Sequence, residues 1–208
     1  MSDAAPSEAG GKLVYVMGPS GAGKDSVLDR ARALALPGTP VVFAHRYITR
    51  PAEAGGENHV ALSAAEFDMR RRQGLFAFHW QAHGNAYGIG AEIHRWRELG
   101  LTVVVSGSRE HFAQTGGIDD GTVPVLITAP ADRLAARLAQ RGREDAGAAQ
   151  ARLQRAQAHG VDDPRLVTIV NDGSLDDAAG KFVSLLARLR PAAPAPHARR
   201  RAESAPAP

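Results

Sequence analysis

Residues 18–24 have the types and spacing of a phosphate-binding loop. The segment reads Gly18, Pro19, Ser20, Gly21, Ala22, Gly23, Lys24. Small residues let consecutive backbone N–H groups converge on phosphate oxygens, and the lysine reaches the terminal phosphates. A glycine-rich turn without a ligand is the alternative, but an apolar run precedes the segment and a helical pattern follows it. We therefore predict that the loop binds a nucleotide.

The residue after the lysine departs from the usual motif. A serine or threonine normally stands there and offers a hydroxyl to Mg²⁺, whereas this chain has Asp25, followed by Ser26. A carboxylate beside a bound triphosphate would repel it unless a cation lay between them. We predict that residues 18–26 bind the nucleotide and that Asp25 and Ser26 hold Mg²⁺. The alternative is that Asp25 is only an acidic first-turn residue, favoured by the helix dipole.

Short apolar runs alternate with helical patterns along the chain. The runs are 12–17, 41–44, 101–106, 122–128 and 166–171, and the helical patterns are 24–36, 131–141 and 174–189. This alternation predicts an α/β fold whose core is a parallel sheet flanked by helices. Residues from about 45 to 98 are richer in His, Arg, Gly and aromatics. We expect them to form an inserted region that covers the acceptor substrate.

Length and composition indicate one globular domain, here taken as residues 12–190 of 208, with 44% hydrophobic residues. The chain has no cysteine, which excludes disulfides and Cys-ligated zinc and fits a reducing compartment. We see neither a signal peptide nor about 18 consecutive apolar residues, so we expect a cytoplasmic protein without membrane contact.

Both ends of the chain lack apolar periodicity, and we expect disorder in the leader (1–11) and in the basic Ala/Pro tail (191–208). Part of the +3 net charge lies in that tail, so the charge is weak evidence for nucleic acid, and we predict no nucleic-acid partner. The sequence does not indicate an oligomeric state.

The histidines do not favour a zinc site. His79 and His83 stand four apart, which suits metal ligands on a helix, whereas their segment has the pattern of a strand and a turn. His59 and His79 are better interpreted as anion contacts or packing groups.

Several segments together resemble the guanylate kinase family of P-loop kinases. They are "GPSGAGK" (18–24), "ITRP" (48–51), "HGNAYG" (83–88), "RLAQRGRE" (137–144) and "IVNDGSLDDA" (169–178). The likeness covers roughly residues 12–189 and implies a P-loop kinase fold with a small lid at about 141–150. Arg50 and Tyr87 match the family's residues that hold the acceptor's phosphate.

The same resemblance implies roles for residues further along the chain. Arg141 and Arg152 match lid arginines that close over the transferring group, with Arg143 as a weaker match; the alternative for each is a solvated helical arginine. Asn171 matches a residue on the adenine side of the site. The family's acidic position after the strand at 101–106 corresponds to Ser106, so Asp25 would supply that charge and Ser26 or Ser106 a hydroxyl.

The guanine-reading residues of that family are absent. The base-pairing glutamate corresponds to Phe78, the hydroxyl residue after the tyrosine to Ile89, and the base-reading serine to Arg46. The family's second phosphate arginine corresponds to Glu53, and the tyrosine of its "DY" pair corresponds to His59. A guanidinium suits a phosphate far better than a purine edge, so we expect Arg46 to bind a second anionic group on an acceptor without a base.

"GPSGAGKDS", "AHRYITRPAEAGGENHVALS" and "VNDGSL" are similar to segments of the ribose 1,5-bisphosphate phosphokinases of bacterial phosphonate degradation. Those enzymes transfer the γ-phosphoryl group of ATP to ribose 1,5-bisphosphate and form 5-phosphoribosyl 1-diphosphate. The resemblance thus implies ATP, Mg²⁺ and a small-molecule sugar bisphosphate. The residues alone indicate only a phosphorylated acceptor with two anionic groups that is not guanine. A nucleoside monophosphate kinase with altered base preference and a non-catalytic binding module remain as alternatives.

A phosphate acceptor needs no general base, because its attacking oxygen is already ionised near neutral pH. Catalysis then consists of positioning and charge neutralisation, for which we expect Lys24, Arg141 and Arg152 to be responsible. Arg109 follows the strand at 101–106, at the sheet edge where ligands of parallel α/β folds bind. We expect it to bind the sugar's 5-phosphate; a surface ion pair with Glu110 is the alternative.

Overall fold

The computed structural model describes residues 10–34, 39–54, 57–134 and 161–189. The strands are β1 (Leu13–Met17), β2 (Val41–Phe43), β3 (Arg46–Ile48), β4 (Val60–Ala61), β5 (Phe76–Ala82), β6 (Asn85–Gly90), β7 (Thr102–Ser106), β8 (Thr122–Thr128) and β9 (Val167–Val170). The helices are α1 (Lys24–Leu34), α2 (Ala64–Arg72), α3 (Glu92–Glu98), α4 (Arg109–Gln114) and α5 (Leu175–Arg188), with a 3₁₀ turn at Ala52–Ala54. Residues 131–134 are also helical.

The larger sheet has the order β2-β7-β1-β8-β9, and each neighbouring pair is parallel. Strands β1 and β7 are buried along their whole length, as expected for a parallel sheet covered on both faces. The predicted parallel core is therefore confirmed, and the observed strands lie within the five predicted apolar runs.

Side chains of β1 alternate between the two faces of this sheet. Val14 and Val16 pack with residues of α1 and α5, including Phe182, in one buried cluster. Leu13, Tyr15 and Met17 belong to a second cluster on the other face. Helix α5 begins with a capping box between Ser174 and Asp177 and buries a stripe at helical spacing, consisting of Ala178, Ala179, Phe182, Leu185 and Leu186.

Residues 46–90 form a second sheet of order β4-β3-β6-β5. Strand β3 pairs parallel with β4 and antiparallel with β6, and β5 and β6 form an antiparallel hairpin. This sheet lies within the region that the sequence predicts to be inserted. Helix α3 follows it and leads back to the core sheet through β7.

Gly11 differs from the sequence prediction, which assigned it to a disordered leader. It is buried, its N–H donates to the carbonyl of Arg97 at 2.7 Å, and its carbonyl accepts from Arg97 Nε at 3.1 Å. A Cβ at this position would lie 1.9 Å from the carbonyl oxygen of Leu101, so only glycine fits this approach. The predicted lid (141–150) and tail (191–208) lie outside the described residues.

Among the described helices, none combines the length and the apolar character needed to cross a membrane.

Candidate active site

A cavity of about 450 Å³ lies beyond the carboxyl ends of β1 and β7, where open α/β sheets bind ligands. Its volume is within the usual range for small-molecule sites. The lining comes from the core sheet's loops and from the second sheet: residues 18–21, 23–26, 46, 50, 57, 80–83, 87 and 107–110. The two sheets therefore enclose one candidate site.

The loop after β1 has the backbone conformation that its glycines allow. Gly21 and Gly23 have φ values of 86° and 78°, a region that glycine enters without steric cost. A Cβ at Gly18 would lie 2.2 Å from the carbonyl oxygen of Ile127 in β8. The N–H of Val27 donates to the carbonyl of Gly23 at 2.9 Å, so the loop leads directly into α1.

Lys24 lies at the cavity with its side chain only 11% exposed. Its Nζ is 2.5 Å from Asp25 Oδ1 and donates to the Ser106 hydroxyl. Burial lowers the pKa of Lys24, and the charge of Arg46 lowers it further, whereas Asp25 opposes both effects. The carboxylate that the sequence assigns to Mg²⁺ thus lies against the lysine in this structure.

Arg46 and Arg50 share a carboxylate, Glu57, at the acceptor side of the cavity. Arg46 Nε donates to Glu57 Oε2 at 2.6 Å, and Arg46 Nη2 donates to Oε1. Arg50 Nη2 lies 3.5 Å from the same Oε1, and Arg46 Nη2 lies 3.7 Å from Asp25 Oδ1. The Arg46 and Glu57 side chains are 10% and 11% exposed, so this is a largely desolvated pair.

Aromatic rings form the adjoining wall. Trp80 pairs with Tyr87 across the β5–β6 hairpin, and the rings stack with centroids 5.6 Å apart and an interplanar angle of 5°. The Arg46 guanidinium lies 5.2 Å from the centroid of the Tyr87 ring, within the range of a cation–π contact. Tyr87 itself is 7% exposed, so it contributes mainly through its ring contacts with these two neighbours.

Two of the three positions that correspond to guanine-reading residues, Phe78 and Ile89, face the core, and the third, Arg46, lines the cavity. Ile89 is fully buried, and Phe78 packs against the same cluster; neither is among the residues that line the cavity. Arg46 lies opposite Ile89 in the β3–β6 register. The described cavity wall thus has a guanidinium and aromatic rings on this side.

His59 is a buried packing group. Its Nδ1 lies 3.2 Å from the carbonyl oxygen of Glu57, and its Nε2 lies 3.1 Å from that of Arg50, so it links the backbone on either side of the Ala52–Ala54 turn. His79 and His83 lie on β5 and in the tight turn after it, as the pattern predicts. Among the described residues, no group of three or more His, Cys, Asp or Glu side chains could hold a metal ion.

Arg109 is the first residue of α4 and lines the cavity. Ser108 caps this helix, with its hydroxyl accepting from the N–H of His111 at 3.5 Å. Burial lowers the pKa of Arg109. The structure therefore brings Arg109 to the same cavity as Lys24, Arg46 and Arg50.

Asn171, which the resemblance places on the adenine side, lies beside the phosphate-binding loop. It is 4% exposed, its Nδ2 donates to the carbonyl of Ala22 at 2.9 Å, and it is not among the lining residues. Its observed contact is with the phosphate-binding loop, because β9 ends beside that loop. The predicted lid arginines, Arg141, Arg143 and Arg152, lie outside the described residues.

Glu57 and Trp80 are site residues that the sequence reasoning missed. Glu57 is part of "GGENH", close in sequence to Arg46 and Arg50. An acidic residue near two arginines that are expected to bind phosphate is a sign of an internal ion pair. Trp80 could have been found from the hairpin register, because a two-residue turn at His83–Gly84 places it opposite Tyr87.

No protein-family model matches the chain. The ribose 1,5-bisphosphate phosphokinase PhnN of Desulfomicrobium baculatum is 53% identical over 175 residues, covering 84% of this chain and 94% of that protein. The protein of the same name from Thiobacillus denitrificans is 48% identical over 177 residues, covering 85% and 93%. Among solved structures, guanylate kinase from Anaplasma phagocytophilum superposes with a TM-score of 0.64 at 16% identity, covering 88% of this chain and 87% of that one. At this identity the structural likeness concerns the fold alone.

Proposed function

This chain belongs to the family of ribose 1,5-bisphosphate phosphokinases, and from that premise we propose that it transfers the γ-phosphoryl group of ATP to ribose 1,5-bisphosphate. The product is 5-phosphoribosyl 1-diphosphate, and the step belongs to phosphonate catabolism. The observation that carries the proposal is the pair of guanidinium groups, Arg46 and Arg50, in a cavity that Phe78 and Ile89, at two of the guanine-reading positions, do not line.

On the donor side, the loop of residues 18–24 and the start of α1 bind the ATP phosphates. The positive-φ glycines let the backbone approach the phosphates closely. Lys24 neutralises the charge of the terminal phosphates; to do so, its Nζ exchanges Asp25 and Ser106 for phosphate oxygens. Asn171 supports this loop through the Ala22 carbonyl.

The donor set around Lys24 fits Mg²⁺. Asp25 and Ser26 line the cavity, and carboxylate and hydroxyl oxygens are the ligands that this hard cation prefers, usually together with substrate phosphates. We assign Asp25 and Ser26 to the metal, with Ser106 as a further hydroxyl. When bound, Mg²⁺ neutralises charge that develops on the phosphates.

On the acceptor side, Arg46 and Arg50 bind phosphate oxygens of the sugar bisphosphate, and Arg109 binds its second phosphate. Trp80 presents a ring face against which the sugar carbons pack, and the buried Tyr87 ring supports both Trp80 and the Arg46 guanidinium. An oxygen of the 1-phosphate attacks the γ-phosphorus of ATP, the bond from that phosphorus to the β,γ-bridging oxygen breaks, and ADP leaves with the electron pair. Because the attacking oxygen is already ionised, the cavity supplies positioning and positive charge.

The lid, the cellular compartment and the partners complete the proposed function. The lid arginines Arg141 and Arg152 complete the charge neutralisation. The reaction uses ATP, so we assign the protein to the cytoplasm, with a small-molecule substrate and without a nucleic-acid or membrane partner.

The test compares ribose 1,5-bisphosphate, GMP and AMP as acceptors with ATP and Mg²⁺. We expect turnover with the sugar bisphosphate at least about tenfold above either nucleotide, since a nucleoside monophosphate offers one phosphate to the site's cations where the sugar bisphosphate offers two. Preference for a nucleotide would favour the monophosphate kinase alternative. Absence of turnover with all three acceptors would favour a binding module.

Arg46→Ser tests the observation that carries the proposal. We expect the KM for the sugar bisphosphate to rise by more than about tenfold, the value of a desolvated charge-assisted contact, while the KM for ATP stays within about twofold. Arg71→Ser is the matched control, because Arg71 is exposed on α2 and pairs with Asp68 away from the cavity. An unchanged acceptor KM in Arg46→Ser would refute the role of Arg46.

A further inference from the structure

The hydroxyl of Tyr15 joins β1 to the start of α4. Tyr15 is fully buried in β1, and its hydroxyl accepts from the N–H of Ser108 at 3.1 Å. The same oxygen lies 3.1 Å from His111 Nδ1 and 3.2 Å from the carbonyl oxygen of Ser108. One phenol group therefore contacts both the N-cap residue of α4 and a residue in its first turn.

The protonation states of the two rings suit this arrangement. Burial raises the pKa of Tyr15 to about 12, so the phenol retains its proton and can donate it. Burial, and to a lesser degree the charge of His79, lowers the pKa of His111. The imidazole is then neutral, and its Nδ1 can accept from the phenol.

The ring of Tyr15 also supports the segment before α4. The N–H of Gly107 donates to the carbonyl of Val16 at 2.8 Å, and a Cβ at Gly107 would lie 2.0 Å from Tyr15 Cζ. Residues 107 and 108 thus rest directly on the phenol. Gly107, Ser108 and Arg109 all line the cavity, so a shift of this segment would move Arg109 relative to Arg46 and Arg50.

A purely structural role for Tyr15 would need only its ring. The ring contacts Phe78 and Phe112 at centroid distances of 6.3 and 5.4 Å, and a phenylalanine would retain these contacts. The hydroxyl adds the hydrogen bonds to Ser108 and His111 and nothing else that the core requires.

We infer that the Tyr15 hydroxyl is a positioning group: it fixes the 107–111 segment so that Arg109 meets the acceptor's second phosphate. The inference rests on the proposed function, because it extends the assignment of Arg109. Tyr15 acts through Arg109 and does not itself line the cavity.

The test is a double-mutant cycle of Tyr15→Phe and Arg109→Ala. With Arg109 present, Tyr15→Phe should raise the KM for ribose 1,5-bisphosphate about five- to tenfold, as expected for the loss of a buried hydrogen bond, and leave the KM for ATP within about twofold. With Arg109→Ala, Tyr15→Phe should have no further effect on the acceptor KM. Tyr47→Phe is the matched control, because it removes a tyrosine hydroxyl on β3 outside the cavity lining.

The inference is overturned if Tyr15→Phe leaves the acceptor KM unchanged, or if it raises the KM for ATP as much as the KM for the acceptor. It is also overturned if Tyr15→Phe has the same effect on the acceptor KM with Arg109 present and with Arg109→Ala. If Tyr15→Phe does not fold, His111→Gln removes the imidazole at the other end of the same contact and enters the same cycle. If the wild type does not use ribose 1,5-bisphosphate, the proposed function is wrong, but the role of the Tyr15 hydroxyl can still be tested. The cycle is then measured by calorimetry as the Kd of inorganic pyrophosphate, with the same pattern expected and the same outcomes overturning the inference.

Discussion

Replacing Glu57 by glutamine should destabilise the fold, because it leaves the buried Arg46 guanidinium without its main partner. Glutamine retains the volume of the side chain, but its amide places N–H donors where Arg46 also donates. The two hydrogen bonds from Arg46 to the Glu57 carboxylate cannot both be formed. The perturbation is therefore the loss of one charge at nearly constant shape.

The magnitude follows from the burial and from the remaining contacts. Breaking a buried ion pair by removing one partner costs about 3–5 kcal/mol. Asp25 lies 3.7 Å from Arg46 Nη2 and can move closer, so we expect a cost at or below the lower end of that range, about 2–3 kcal/mol. For a domain of this size that corresponds to a fall in Tm of about 4–12 °C.

Urea unfolding of the full chain measures this loss, with an unchanged m-value as the sign that the unfolded reference state is unaltered. Arg46→Met/Glu57→Gln removes both charges and should be more stable than Glu57→Gln alone, because the buried Arg46 guanidinium that loses its main partner is no longer present. Glu66→Gln is the control, since Glu66 pairs with Arg70 on the partly exposed surface of α2 and should change stability by less than about 1 kcal/mol.

Two results would refute the reasoning. Glu57→Gln with wild-type stability would mean that Arg46 is solvated or paired elsewhere without loss. A double variant no more stable than Glu57→Gln alone would mean that the cost does not come from the unpaired guanidinium.

The other predictions concern the nucleotide side, pH and the tail. Asp25→Asn should raise the Mg²⁺ concentration for half-maximal rate and lower turnover with little change in Tm; parental Mg²⁺ dependence would leave Asp25 as a helix-start residue. Asn171→Ala removes the bond to the Ala22 carbonyl and should raise the KM for ATP about three- to tenfold, which steady-state kinetics will check against an unchanged acceptor KM. Burial keeps the pKa of His111 below its ordinary value. Its stabilising contribution is therefore present above that value and is lost as the pH falls through the folded-state pKa, so urea unfolding between about pH 7 and 5 should show a smaller decline for His111→Gln than for wild type. Removal of residues 191–208 should leave Tm and turnover nearly unchanged, because that composition has no apolar periodicity.

Local patterns in the sequence were sufficient for the larger sheet and its flanking helices, but not for the order of the second sheet. The loop of 18–24 is recognisable because its glycines, lysine, preceding strand and following helix are contiguous. Strands β1 and β7 are recognisable because a buried parallel strand is a nearly continuous apolar run. Strand β5 and the turn at His83–Gly84 are recognisable from the pattern of their segment, whereas the pairing of β5 with β6 was not predicted.

Those local patterns could not predict contacts between residues that are far apart in the sequence. The Asn171 amide meets the Ala22 carbonyl across 149 positions, and the Tyr15 hydroxyl meets Ser108 across 93. Such contacts depend on strand order and on side-chain direction, which no local periodicity encodes. Glu57 was missed for a related reason: its pairing with Arg46 requires the loop after β3 to fold back over the strand.

Trp80, which stacks on Tyr87 in the cavity wall, can report on ligand binding through its fluorescence. The chain has two tryptophans. The other, Trp96, packs against the buried cluster on the face of the larger sheet that lies away from α1. Indole emission depends on the polarity and the charges around the ring. Trp80 stacks on Tyr87, and the Arg46 guanidinium lies within cation–π distance of the Tyr87 ring. In a Trp96→Phe background, the emission of Trp80 alone should change as anions enter the cavity, so the occupancy of the acceptor side can be followed by fluorescence without a coupled assay or an attached dye.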